Sequence, residues 1–202
     1  MYNSLIIFKK NITGVRDLAA LHEHLNGVIK APFSFDDLLR FQIVYSVSAF
    51  DKLMHDLIRV GMVDSFIGVR TPTNKYLTER ISLETYNSLS TANVPPKEYY
   101  FEQQLVKKLK IISYQDPDNV ADGLSYIWSE TNKWKKIADE MKRKEKEVRT
   151  ELRLIIDRRN KIVHEADMDI ATGEKFPILP SDCERSVSFL EECGAAIGKL
   201  VI

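Results

Sequence analysis

Apolar residues recur at three- and four-residue spacing through most of the chain, the pattern of amphipathic helices. Leu18, Leu21, Leu25 and Val28 fall on one face of a helix expected over residues 17–29. Pro32 and Ser34 interrupt that run, and Ser34 ahead of Asp36 and Asp37 is a good helix start. The helix that follows is expected to reach about residue 60. Its apolar positions, among them Leu39, Ile43, Val47, Phe50, Met54, Leu57 and Ile58, form a face wide enough for a central place in the core. Ser46, Ser48 and Ala49 would let a neighbouring helix come close, and Gly61 and Gly68 are expected to loosen the chain before Thr71-Pro72.

Farther on, the pattern predicts a helix over residues 76–89, closed by Val94-Pro95-Pro96, and another over 97–112 with Phe101, Leu105 and Leu109 on one stripe. Asp116-Pro117-Asp118 marks a turn, followed by a short helix containing Leu124, Ile127 and Trp128. The clearest elements are helices over 145–163 and from 181 to the end. Thr172-Gly173, Pro177 and Pro180 make the connection between them, with room for short extended structure. No repeat, low-complexity tract or linker divides the chain, so a single all-α domain is expected over residues 1–202.

Hydrophobic residues make up 44% of the 202 and charged residues 29%, enough for a core that needs neither disulfides nor structural metal. Cys183 and Cys193 lie on one expected helix, where a bridge would break its geometry, and read as two buried thiols of a reducing compartment. No run approaches the roughly 18 apolar residues of a membrane span. The apolar stretch Leu5 to Phe8 is followed by Lys9 and Lys10, the reverse of a signal peptide's order. A cytoplasmic protein with no membrane partner is therefore expected.

Net charge is zero, which argues against a general polyanion binder, but the charges are unevenly placed. Residues 133–161 hold twelve Lys or Arg against six Asp or Glu, whereas residues 164–202 hold three against eight. That is a local basic surface of the kind nucleic acid can use, and equally the kind that a solvated helix face presents.

Turning the helix that ends at His164 by about 100° per residue puts Val148, Leu152, Ile155, Ile156, Ile162 and Val163 in one stripe, with Arg159 in its middle. An arginine among core positions is costly unless its charge is paired, hydrated or used. It either snorkels out or meets a buried carboxylate, or else it serves as an anion-binding guanidinium in a cleft or interface. Asn160 and His164 lie four apart on the neighbouring flank. Arg159 and His164 are about 140° apart on a straight helix. They can meet one phosphate only if the helix distorts or a second copy supplies the complementary pair. Glu165 and Asp167 follow, and either could orient the imidazole or simply solvate the helix end.

Other chemistries lack a signature. His22 and His24 sit about 200° apart on a helix, unlike a helical zinc pair, and neither Cys-x-x-Cys nor a Gly-rich phosphate loop occurs, so no metal and no cofactor is expected. Tyr99, Tyr100 and Phe101 could stack on bases but read first as core anchors, as do Trp128 and Trp134.

The string Arg159-Asn160-Lys161-Ile162-Val163-His164 resembles the signature of the HEPN superfamily: arginine, a polar residue, then histidine four to six positions after the arginine. The longer stretch DRRNKIVHEAD, preceded by Trp134-Lys-Lys-Ile-Ala and a charged helix, is similar to the RiboL-PSP-HEPN and MAE-type branch. The resemblance is strong over residues 134–167 and weak over 61–115, which reads as an inserted helical segment. It implies an all-α HEPN-like bundle that forms a homodimer through its motif-bearing face. It also implies metal-independent cleavage of single-stranded RNA in a bacterial defence or toxin–antitoxin setting, with an antitoxin or other defence protein as a further partner. Arg159, Asn160 and His164 would be catalytic, Arg158 and Lys161 would bind substrate, and Glu165 or Asp167 would orient the histidine. A HEPN-like binding or dimerisation module without catalysis is the competing expectation. A purely structural helical protein with Arg159 in an internal ion pair is the third.

Overall fold

Helix α1 spans Tyr2–Val28 in the computed structural model, which describes residues 1–202. It therefore begins well before the stretch whose apolar pattern signalled it. Ser4, Phe8, Ile12, Val15 and His22 are its buried positions, while Leu21 and Val28 stand exposed. The stripe read from residues 18–28 is thus rotated by roughly 100° from the face that packs. Burial here follows the neighbours. The first half of α1 lies against the C-terminal helix, where the Phe8 ring and Leu5 crowd the backbone at Gly194 and Gly198. His22 is held by Asp36 at 3.2 Å and Asn26 at 2.9 Å.

Helix α2 spans Asp37–Phe66, thirty residues and about 45 Å long, and is the central element. Leu39, Val47, Phe50, Met54, Leu57 and Ile58 are fully withdrawn from solvent along it, as its wide apolar face indicated. Each such side chain contributes about 1.5–3 kcal/mol by burial. Gly61 does not loosen the helix. It lies inside α2 where a Cβ would collide with Met1 and Ile127, so its small size permits a close approach. Gly68, in the left-handed region at φ 79°, is where the chain leaves the helix.

The segment expected as one helix over 76–89 is two, α3 (Asn74–Leu77) and α4 (Leu83–Thr91). Thr73 and Ser82 each accept a hydrogen bond from the backbone N–H three residues on, so each caps a separate start. Helix α5 (Lys97–Leu109) buries Phe101, Leu105 and Leu109. Asp116-Pro117 caps α6 (Pro117–Leu124), which ends before Ile127 and Trp128. Helix α7 spans Lys133–Glu140, α8 Glu145–His164 and α9 Pro180–Val201. Helices α1, α8 and α9 all pack on α2, with α5 and α6 at its far end. The connection from α8 to α9 contains one antiparallel bridge, Met168 to Lys175. No helix is long and apolar enough to cross a membrane.

Candidate functional site

Helix α8 buries Val148, Leu152, Ile155 and Ile156, and its apolar stripe then meets Arg159. One turn on, half-buried Ile162 packs against Leu39, Ile43 and Cys183. The helix holds its α geometry to the end, since the N–H of Glu165 donates to the carbonyl of Lys161 at 3.0 Å. No distortion brings Arg159 round to His164 within one chain.

Arg159 is half-buried, and its Nε is fully withdrawn without any acceptor. Its Nη1 donates to Oδ1 of Asn160 at 2.9 Å, the one side-chain partner it has. Among the half-buried arginines it alone meets neither a carboxylate nor a main-chain carbonyl; Arg16, Arg59, Arg143, Arg149 and Arg158 pair with acids and Arg70 with carbonyls. Asn160 therefore holds a guanidinium whose charge no other side chain answers. His164 is exposed at the helix end and makes no side-chain hydrogen bond, and Glu165 beside it makes none either.

Asp167, expected as an orienting partner of His164, is occupied elsewhere. Its side chain is fully buried, and Oδ2 accepts from Nε of Arg40 at 2.7 Å and from Nη2 of Arg158 at 2.8 Å. Its Oδ1 has no partner. Two guanidinium groups on one carboxylate leave a net positive charge, and the desolvation of all three is offset by these short charge-assisted bonds. Ala166 and Asp167 both take left-handed backbone, at φ 50° and 58°, so the chain turns sharply directly after the motif.

Arg40 ties the same turn to the start of α2. Its Nη2 donates to the carbonyl of Phe176 at 2.7 Å, and the amide of Phe176 donates to the carbonyl of Asp167 at 2.8 Å. Lys175 adds a bond to Asp37 at 2.7 Å, and that lysine, with Arg40 nearby, holds the Asp37 carboxyl below its ordinary range. Arg158, expected to bind substrate, is a structural link first, because its Nη2 also reaches the carbonyl of Pro177 at 3.2 Å. Lys161 is exposed and unpaired, and its Nζ lies 5.2 Å from the centre of the Phe176 ring. Arg158, Asn160, Lys161 and Glu165 line a surface cavity of about 450 Å³ on this flank of α8.

Much of the basic excess of residues 133–161 is answered internally. Arg149 and Arg153 meet Asp118, and Arg143 meets Glu151. Arg159 and Lys161 at the motif end have no ion pair, as is also true of Lys135, Lys136, Lys142 and Lys146. The aromatics read as core anchors divide: Phe101 is stacked on Phe66 at 4.4 Å and Trp134 donates to Pro117, whereas Tyr99 is exposed. Cys183 and Cys193 are buried free thiols, and burial pushes the Cys183 thiol up to about 11. No three His, Cys, Asp or Glu side chains gather as metal ligands would. Arg40 and Phe176 carried no local signal in the sequence; only their distant partners give them a place at the site.

Comparison with other proteins returns one family. No curated protein and no solved structure matches the chain. The model of the RiboL-PSP-HEPN family matches residues 10–201, a range that runs through 61–115 as well as the motif. With the Arg-Asn-Lys-Ile-Val-His string closing a late helix of an all-α fold, the chain belongs to the RiboL-PSP-HEPN family of the HEPN superfamily.

Proposed function

We propose that two copies of this protein form a metal-independent endoribonuclease, with the motif-bearing ends of both α8 helices facing one cleft. The observation that carries this reading is Arg159, a half-withdrawn guanidinium with no carboxylate and with a buried Nε that lacks an acceptor. Such a group is costly to keep unless an anion answers it. A phosphate diester does so through the forked geometry of the guanidinium. His164 stands free at the helix end, with no partner competing for its ring nitrogens. One histidine removes the 2′-hydroxyl proton of the ribose, and the oxygen attacks the adjacent phosphorus. The histidine of the second copy protonates the leaving 5′-oxygen, while Arg159 stabilises the charge built on the phosphorane. The products are a 2′,3′-cyclic phosphate and a 5′-hydroxyl. The separation of Arg159 and His164 around an undistorted helix supports a shared site, and exposed Val163 gives the motif end of α8 an apolar residue for a second copy to meet.

The test is incubation of the purified protein with single-stranded RNA in EDTA, beside His164→Ala and Arg159→Ala. Each substitution is expected to lower the rate by about 10²–10⁴-fold, the range for loss of acid–base or oxyanion groups. Cleavage that survives loss of His164, or that leaves a 3′-hydroxyl, would sink the mechanism. RNA binding without cleavage by the wild-type protein identifies the non-catalytic module instead.

A further inference from the structure

Phe176 lies under two cations of the motif helix and has no role in the chemistry above. Its ring centre lies 5.2 Å from Nζ of Lys161 and 5.6 Å from the guanidinium carbon of Arg158. Its main chain is fixed from both sides, by Arg40 on the carbonyl and by Asp167 on the amide, so the half-buried ring is held in place. Lys161 and Arg158 also line the neighbouring cavity of about 450 Å³ with Asn160, Asp157 and Glu165, so that the two cations lie between this hollow and the Phe176 ring. Of the two cations, Arg158 is engaged by Asp167 and Pro177, whereas Lys161 has no ion pair. An aromatic ring under a flexible cation with no ion pair suits a ligand that joins a flat π system, which takes the ring, to a phosphate, which draws the cation off it.

We propose that Phe176 is a stacking platform for a nucleobase of single-stranded RNA next to the scissile phosphate, with Lys161 on the phosphate of that nucleotide. The placement rests on the nuclease reading of Arg159 and His164. Stacking on a phenyl ring does not select among bases, so this contact sets where the strand lies rather than which sequence is cut.

The test measures binding, and so stands apart from cleavage. The probes are a fluorescein-labelled 2′-O-methyl oligouridine 12-mer, which lacks the attacking hydroxyl, and the same backbone with every base removed. Phe176→Leu keeps apolar bulk against the lysine and arginine stems, and Phe176→Trp keeps a larger π face; thermal unfolding checks that both are folded. Phe176→Leu is expected to weaken binding of the base-bearing probe by roughly 5–150-fold and to leave the abasic probe unchanged, the effect of one lost base–aromatic stack. Phe176→Trp retains wild-type affinity, and Lys161→Gln weakens both probes alike. The platform is overturned if Phe176→Leu binds the base-bearing probe as the wild type does, if it loses both probes equally, or if the wild type binds neither. A Phe176-dependent preference for bases in a protein that cuts no RNA leaves the platform standing and removes the nuclease reading.

Discussion

Asp167 carries two arginines on one carboxylate oxygen, and its other oxygen is buried without a donor. Replacing it by asparagine leaves Arg40, whose side chain is 8% exposed, with only the exposed carboxylate of Asp37, at 3.3 Å, as a counter-charge. Asp167→Asn is expected to cost about 3–5 kcal/mol in urea unfolding, the usual result of breaking one side of a buried pair. A mild loss comparable to a surface pair would show that the triad is hydrated in solution. The same residue shows where reading the sequence stops. Arg159 was legible as an arginine out of place because its stripe-mates lie within two helical turns. Asp167 looked like a partner for His164 because it follows it so closely. Its actual partner Arg40 is 127 positions away in the chain, and no local periodicity reports that.

At the scale of elements, the long helices α2, α8 and α9 were legible because their buried positions repeat for many turns. The failures were of a different kind. Helix α1 has its buried face set by α2 and α9, so its own later apolar positions misled. The division of α3 from α4 was written in Thr73 and Ser82, two capping residues that the apolar spacing alone passed over. Glycine inside a helix likewise has two meanings, and Gly194 carries the second. A Cβ there meets the Phe8 ring and Leu53, so α1 and α9 approach closely only because this position is bare. Gly194→Val is expected to cost about 1–3 kcal/mol as an overpacked helix contact, read as a lowered midpoint in thermal unfolding. An unchanged midpoint would mean that α1 shifts along α9 without penalty.

For the whole molecule, the proposed cleft makes a demand that no single chain meets. If each cleft needs a histidine from both copies, wild type co-refolded with His164→Ala is expected to lose cleavage roughly as the square of the wild-type fraction, because a mixed dimer carries a single histidine. A loss in direct proportion to that fraction, measured on the same RNA, argues against a composite site. The sharp turn after His164 also bears on how this sequence can drift. Ala166 occupies left-handed backbone that glycine enters freely and alanine enters at about 1–2 kcal/mol. Selection acting on stability alone pulls position 166 toward glycine. If His164 serves the proposed cleft, selection acting on its aim resists that change, because glycine widens the conformations open to the turn. Among descendants of this chain, the residue at 166 records which of the two pressures prevailed.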